Sequence, residues 1–273
     1  MLPYFKKYVV IACAFAALVP VVVSTGFAFS TGTILASTIQ GLVTLLALFF
    51  GTFLVSTGLL SKVADAKVDE MIAIYDGECD PERFLDASRE IAAAVTVPFP
   101  EPGAWFMSFY GQALLDAGDV KRAEAVEKMM YDSIARAKKR SLQAAIVVAL
   151  LPLALKTKGP AEALPMIDKG LGLLNGIDDQ ASVQRRGYLA TQREIVSKRL
   201  DGDTTALIAL YEGLTSNEVL PLRIRVESAW DEAQLHYSLG HAEDEARCLR
   251  FVSDYGNKLV LVGRARARLA ELS

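Results

Sequence analysis

The amino-acid sequence predicts an all-α protein, in which an N-terminal transmembrane helical hairpin is followed by an α-solenoid of helix pairs. Two observations lead to this fold class. One is a long apolar stretch without charges, and the other is a spacing of small and large residues that occurs twice. No run of alternating Val, Ile and Thr bounded by turn residues follows residue 60, so nothing in the sequence indicates a β-sheet.

The charge-free stretch extends from Tyr8 to Ser61. A bilayer core of ~30 Å requires about 20 apolar residues per helix, so the stretch is long enough for two spans. We expect these spans at residues 8–29 and 33–60, which makes residues 1–61 a membrane anchor and residues 62–273 a separate domain. The alternative is a signal peptide cleaved near Phe29, with the second apolar run as a single anchor.

The distribution of lysines predicts the topology of this hairpin. Lys6 and Lys7 precede the first span, Lys62 and Lys67 follow the second, and the turn between the spans has no charge. Because positively charged flanks stay preferentially on the cytoplasmic side, we expect both termini and the second domain in the cytoplasm.

The composition after residue 60 is that of a mildly acidic globular domain. Apart from two lysines, the 29 basic residues lie there with all 32 acidic ones, so we expect no nucleic-acid partner. Cys13, Cys79 and Cys248 are far apart and form no Cys-x-x-Cys pair, which is typical of reduced single thiols.

The repeated spacing lies in two segments, GPAEALPMIDKGL from Gly159 and GDTTALIALYEGL from Gly202. Gly, Ala-Leu and Gly-Leu recur in both at an offset of 43 residues. Self-similarity at a period of roughly 20–50 residues indicates a repeat architecture.

Turn residues divide the second domain into about five helix pairs and a C-terminal capping helix. Asp80 is a predicted N-cap, with Pro81 at the first helical position. The apolar run 141–155 is shorter than a membrane span, so we expect a buried helix of the stack, with a third crossing as the alternative. The predicted pairs are 62–75 with 81–95, 104–117 with 120–138, 141–155 with 160–174, 182–200 with 204–214, and 222–239 with 242–255, before the cap at 258–272.

One predicted pair carries a recognisable pattern in GQALLDAGDVKRAEAVEKMM, which begins at Gly111. Gly111 and Ala123 stand where two helices would approach closely, Leu114 at a large position, and Gly118 in the turn. This pattern resembles the tetratricopeptide repeat family, and the resemblance covers roughly residues 62–257. The repeats are degenerate, because the spacing from turn to Ala varies and several signature aromatic residues are absent.

The resemblance implies a concave binding face, lined by the first helix of each pair. Aromatic side chains on such a face would anchor a protein partner, and amides would pair with its backbone. The alternative for the aromatic candidates is ordinary packing. Transferred from the family pattern, the candidate protein-binding residues are Trp105, Gln112, Gln192, Arg199, Trp230, Gln234 and Tyr237.

A basic run precedes the apolar segment 141–155. Lys138, Lys139 and Arg140 are therefore candidates for contact with anionic lipid, each contributing about 1 kcal/mol near a membrane surface. The alternative is a solvated helix end.

No constellation of residues predicts catalysis. The sequence has no phosphate-binding loop and no evident nucleophile with its base, and no Cys or acidic residue completes a metal-ligand spacing around His236 and His241. We therefore expect a protein that is not an enzyme, with no catalytic, cofactor-binding or metal-binding residues.

These expectations together predict a membrane-anchored scaffold or adaptor, which mediates protein–protein interaction at the cytoplasmic face of a membrane complex. Its partners would be membrane-associated proteins, and the bilayer itself through residues 8–60. The alternative functions are a membrane-tethered assembly or secretion chaperone and a non-catalytic subunit of an oligomeric channel or transporter. A second copy of the chain is a further candidate partner.

Overall fold

The structure is a computed structural model that describes residues 10–14, 16–18 and 38–272, without the side chains of 38–46 and 48. The described residues form helices joined by short loops and contain no strand, which confirms the all-α class. The predicted first span and its turn lie outside the described residues, except for helical residues 10–14 and 16–18. The two-span hairpin and its topology therefore stay predictions.

Eleven helices follow between residues 38 and 272, and they match the predicted pairs closely. Each predicted helix after residue 62 is present. The one predicted at 62–75 is the C-terminal part of a longer helix, and the ends of the others differ by a few residues. The helices are α1 Thr38–Glu78, α2 Pro81–Ala94, α3 Glu101–Asp116, α4 Val120–Arg136, α5 Arg140–Lys158, α6 Pro160–Leu173, α7 Gln180–Asp201, α8 Thr204–Ser216, α9 Leu222–Leu239, α10 Ala242–Tyr255 and α11 Val260–Leu272.

Helix α1 joins the predicted second span to the first helix of the repeat region. Its 41 residues form one continuous helix, about 60 Å long at 1.5 Å per residue. The chain divides into two compact units, of which the first ends at Glu70 and the second begins at Met71. The division lies within α1, as does the boundary that we predicted after Ser61.

The second unit has a repeat-like helical architecture. Each helix from α2 onward packs on the next, and α3 also packs on α5, α5 on α7, and α9 on α11. One helix cannot bury an apolar face alone, so the pairs stack on their neighbours as repeats do.

Small residues allow close helix packing at only some of the positions that the repeat predicted. A Cβ atom added to Gly111 would lie 2.7 Å from Leu153 Cδ2, and one added to Gly170 would lie 2.8 Å from Leu189 Cδ1. Gly213, which aligns with Gly170 in the repeat, would meet nothing within 4 Å. The two copies share a sequence pattern but not the same packing, since α8 packs on α9 and only lightly on α7.

Helix α5 is the buried centre of the second unit, as predicted. Residues 144–151 are all buried, and Pro152 lies inside the helix without ending it. Among the helices described in full, α5 alone is long and apolar enough to cross a membrane, and 56% of its apolar window is buried. That burial is typical of a core helix in a folded domain.

The second unit closes on itself, because the loop between α10 and α11 contacts the loop between α1 and α2. The backbone N–H of Lys258 donates to the Cys79 carbonyl at 3.2 Å, and the side-chain amide of Asn257 donates to the Glu78 carbonyl at 2.8 Å. Lys258 Nζ also lies 2.9 Å from an Asp80 carboxylate oxygen. Repeats in a solenoid contact only their neighbours, so these contacts are additional to those expected of the α-solenoid that we predicted.

Candidate functional site

The second unit contains a cavity of about 640 Å³, which we call the interhelical cavity. Its wall comes mainly from alternate helices: α3, α5, α7, α9 and α11, with a smaller part from α4. These are the first helices of successive pairs and the capping helix. The resemblance to the repeat family implied a binding face on the first helices, and with the addition of α11 this face becomes the wall of a cavity.

Four of the predicted contact residues line the interhelical cavity. They are Gln112 on α3, Gln192 and Arg199 on α7, and Trp230 on α9. The fold thus brings together residues that lie more than a hundred positions apart in the sequence.

The other three predicted contact residues lie elsewhere on the surface. Trp105, Gln234 and Tyr237 are exposed and do not line the cavity. The guanidinium of Arg268 lies 4.6 Å from the centre of the Tyr237 ring, so that aromatic side chain packs against α11. The shared helical face that we predicted for Trp230, Gln234 and Tyr237 thus extends beyond the cavity.

Two cations connect three carboxylates at the cavity floor. Lys156 Nζ lies 2.7 Å from Glu227 Oε1 and 3.3 Å from Asp116 Oδ2. Arg223 lies 2.7 Å from the same Glu227 oxygen and 2.6 Å from Asp76 Oδ1. The resulting network joins α1, α3, α5 and α9, and a buried network of this kind fixes how the four helices meet.

The carboxylates of this network differ in how readily they ionise. Burial acts to raise the pKa of Glu227, but Arg223 and Lys156 outweigh it and lower that pKa to about 2. Burial raises the pKa of Asp116 above its usual range, although Lys156 opposes this. Stability contributed by the Glu227 carboxylate is therefore present above its unfolded pKa and is lost as the pH falls toward about 2.

A third cation, Arg199, holds the wall of the cavity between α7 and α9. Arg199 Nη2 lies 2.6 Å from Asp231 Oδ2, and Arg199 Nε donates to the Tyr211 hydroxyl at 2.6 Å. Burial, against the effect of Arg199, raises the pKa of Asp231. We predicted Arg199 as a contact residue, but most of its donors are already used by α8 and α9.

The charged residues of the cavity floor were not predicted from the sequence. They come from four helices, α1, α3, α5 and α9, and none belongs to a motif. The one available signal is on α9, where Glu227 and Asp231 stand at i and i+4 beside Trp230 and so share its face.

Some polar side chains in the wall have no partner within the described part of the chain. Gln192, Trp230, Tyr188, Glu124 and Arg264 line the cavity, and none of them makes a hydrogen bond or ion pair with a described residue. They supply an amide, an indole N–H, a phenol hydroxyl, a carboxylate and a guanidinium. The floor is internally paired, so these five groups are the ones available to a ligand.

The predicted lipid-contact residues lie in the connection between α4 and α5 and at the first position of α5. Lys138, Lys139 and Arg140 are all exposed. Arg140 also donates to the Gly172 carbonyl at 2.9 Å, at the end of α6.

The two histidines lie outside the cavity wall, and one of them has neighbours that the linear spacing did not predict. His236 on α9 is buried with Glu232 of the same helix and Cys248 of α10. The linear spacing offered no acidic residue or Cys as a companion ligand for the histidines, whereas the packing of α10 on α9 brings both residue types close to His236.

Comparison with known proteins found no matching family model, no matching curated protein and no matching solved structure. The described residues therefore define a class by architecture alone. It is an all-helical, repeat-like protein with a closed arrangement of helices around a cavity that both apolar and polar side chains line.

Proposed function

We propose that this protein is a membrane-anchored scaffold of the tetratricopeptide type, which is not an enzyme and binds a segment of a partner protein in the interhelical cavity. The observation that carries the proposal is the convergence of Gln112, Gln192, Arg199 and Trp230 on one cavity. A volume of about 640 Å³ falls within the usual range of binding pockets, and is large enough for a few side chains.

Packing around the best repeat match supports the tetratricopeptide type. Leu153 and Val126 side chains occupy the space beside Gly111, where a larger residue would clash. Leu114 and Ala123 are fully buried, and Gly118 has a positive φ of 83° in the turn. These are the roles that the family pattern assigns to the four positions.

Exposed apolar side chains on α1 support membrane anchoring. Phe50, Leu54, Val55 and Leu59 are each more than half exposed, in a part of the helix that has no charged residue. Exposed apolar surface of this extent usually marks an interaction or membrane site. Anchoring would concentrate the scaffold near membrane-bound partners and so favour their capture.

The polar side chains of the cavity wall that have no partner among the described residues indicate the kind of segment that would bind. Trp230 offers a flat apolar surface and a donor, and Gln192 can pair with an extended backbone. Arg264 supplies a guanidinium that suits a carboxylate. We therefore propose a short partner segment with an apolar side chain and an acidic side chain.

Site-specific photo-crosslinking in cells that express the full chain tests this function. A photoreactive phenylalanine analogue replaces Trp230, and a matched chain carries the analogue at Tyr255, which is exposed and outside the cavity. We expect a discrete protein adduct from position 230 and none of that size from position 255. Adding Arg264→Glu to the first chain should remove the adduct.

Two results would contradict the proposed function. One is the absence of an adduct at position 230. The other is an adduct that forms equally from both positions or that persists with Arg264→Glu.

A further inference from the structure

A compact group of potential metal ligands lies between α9 and α10. Glu232, His236 and Cys248 are at most 5% exposed, and one ligand atom from each lies within 4.8 Å of the others. Glu232 and His236 stand at i and i+4 and so share one face of α9, toward which α10 brings Cys248.

The ring nitrogens of His236 provide an independent indication that this group binds a ligand. Both ring nitrogens are buried and neither has a hydrogen-bond partner. The nearest charged atom, Glu232 Oε1, is 3.7 Å from His236 Nε2, which is beyond hydrogen-bonding distance. A buried imidazole with two unsatisfied nitrogens is costly, and a metal ion bound to one nitrogen would remove part of that cost.

We propose that Glu232, His236 and Cys248 bind one Zn²⁺ ion, which clamps α9 to α10. Zinc binds thiolates, imidazoles and carboxylates in proteins. A softer ion would prefer sulfur ligands and a harder ion would prefer oxygen ligands, so this mixed set of ligands favours zinc. In a tetrahedral site with zinc–ligand bonds of about 2.0–2.3 Å, ligand atoms lie roughly 3.3–3.8 Å apart. The separation of 3.7 Å between His236 Nε2 and Glu232 Oε1 lies in this range, and one ligand atom of Cys248 lies within 4.8 Å of those of the other two residues.

Neighbouring polar groups would hold these ligands in place. Arg247 Nη2 lies 3.3 Å from Glu232 Oε1, and the Thr215 hydroxyl donates to Glu232 Oε2 at 3.4 Å. His236, His241 and Asp244 form a second group, also with ligand atoms within 4.8 Å of one another, so Asp244 lies near His236 without a hydrogen bond to it. Zinc-bound histidines commonly donate their other ring N–H to a carboxylate, and Asp244 would have to move closer to His236 to take this role.

The test is metal binding to the full chain in detergent, purified without a histidine tag and with Cys13→Ser, because Cys13 is the exposed thiol among the described residues. After chelator treatment, Co²⁺ serves as the spectroscopic probe and Zn²⁺ is measured by competition with a chromophoric chelator. We expect one equivalent per chain, with the near-ultraviolet charge-transfer band that a cobalt–thiolate bond produces.

Matched variants assign the site. Cys248→Ser should abolish the band, whereas Cys79→Ser, at the other buried thiol, should keep it. Loss of an outer partner of a zinc ligand costs about 10–100-fold in affinity, so His236→Gln, which removes a ligand, should weaken Zn²⁺ binding at least about 100-fold. His241→Gln should keep both the band and the stoichiometry. Far-ultraviolet circular dichroism checks the fold of each variant, and Cys248→Ala repeats the test if Cys248→Ser does not fold.

Three outcomes would overturn the proposal. The wild type could bind less than one equivalent of either metal. The band could survive Cys248→Ser. Alternatively, one Co²⁺ could bind without a thiolate band, which would place the ion on His236, His241 and Asp244 instead.

Discussion

Arg223 is the residue on which the cavity floor depends most. Its side chain is 4% exposed, its guanidinium lies 4.6 Å from the centre of the Tyr75 ring, and it pairs with Asp76 and Glu227. Replacing one partner of a buried ion pair leaves the other charge without compensation. We therefore expect Arg223→Met to lower the free energy of unfolding by about 3–5 kcal/mol, measured by chemical denaturation.

An exposed arginine provides the control for this prediction. Arg89 pairs with Asp86 on α2, and both side chains are more than 70% exposed. Arg89→Met should change the free energy of unfolding by less than about 0.5 kcal/mol, because exposed ion pairs contribute little. Similar effects of the two substitutions would show that the Arg223 network does not stabilise the fold.

Some residues of the cavity could be predicted from the sequence, and others could not. Gln112, Gln192 and Trp230 were predicted, because a family pattern assigns positions within one helix pair. Lys156 and Glu227 could not be predicted in this way, since their ion pair joins residues 71 positions apart. Such a pairing depends on the angle at which α5 and α9 approach each other, and no local sequence rule contains that angle.

At the scale of the helix, a glycine-to-alanine substitution should have opposite effects on stability in the two aligned repeat copies. Gly213→Ala adds a methyl group in open space within α8, so it should stabilise the protein by about 0.5–1 kcal/mol through helix propensity. Gly170→Ala places a methyl group 3.0 Å from Val147 Cγ1 and closer still to Leu189. Overpacking costs about 1–3 kcal/mol, so we expect a net destabilisation of about 1 kcal/mol.

Thermal or chemical unfolding of the two variants side by side measures this contrast. Each variant is the control for the other, because both replace a helical glycine by alanine. A stabilising effect of Gly170→Ala as large as that of Gly213→Ala would mean that α5 and α7 repack freely around position 170.

The helices were predictable because their ends are marked locally. Asp80 caps α2 by accepting a hydrogen bond from the Arg83 N–H, and Asp119, Asp179 and Asp203 do the same for α4, α7 and α8. Gly202 and Gly240 end α7 and α9 in the left-handed conformation. Closure of the second unit was not predictable, because small twists accumulate over successive pairs before α11 meets the end of α1.

For the whole molecule, the predicted membrane topology matters most, because it determines on which side of the membrane the second unit would meet its partners. With Cys13→Ser as background, the remaining native thiols, Cys79 and Cys248, are buried, so a new cysteine reports its own accessibility. In intact cells, a membrane-impermeant maleimide should modify Thr31→Cys and leave Ser273→Cys unmodified. The physical reason is that the lysines flanking residues 8–60 favour the cytoplasmic side.

Permeabilised cells provide the control, since Ser273→Cys should then react. Modification of Ser273→Cys in intact cells would contradict the cytoplasmic location of the second unit, and partners would have to be sought on the other side of the membrane. Absence of modification at Thr31→Cys, with reaction after permeabilisation, would contradict the hairpin.

The contact between Lys258 and Cys79 has a consequence for how this protein can change over evolution. An open array of repeats can gain or lose a copy at modest cost, because each copy touches only its neighbours. Here the deletion of one helix pair would separate Arg223 from Asp76 and Lys258 from Asp80. The number of pairs is therefore fixed by geometry, and new binding preferences are expected to arise by substitution in the cavity wall rather than by duplication of repeats.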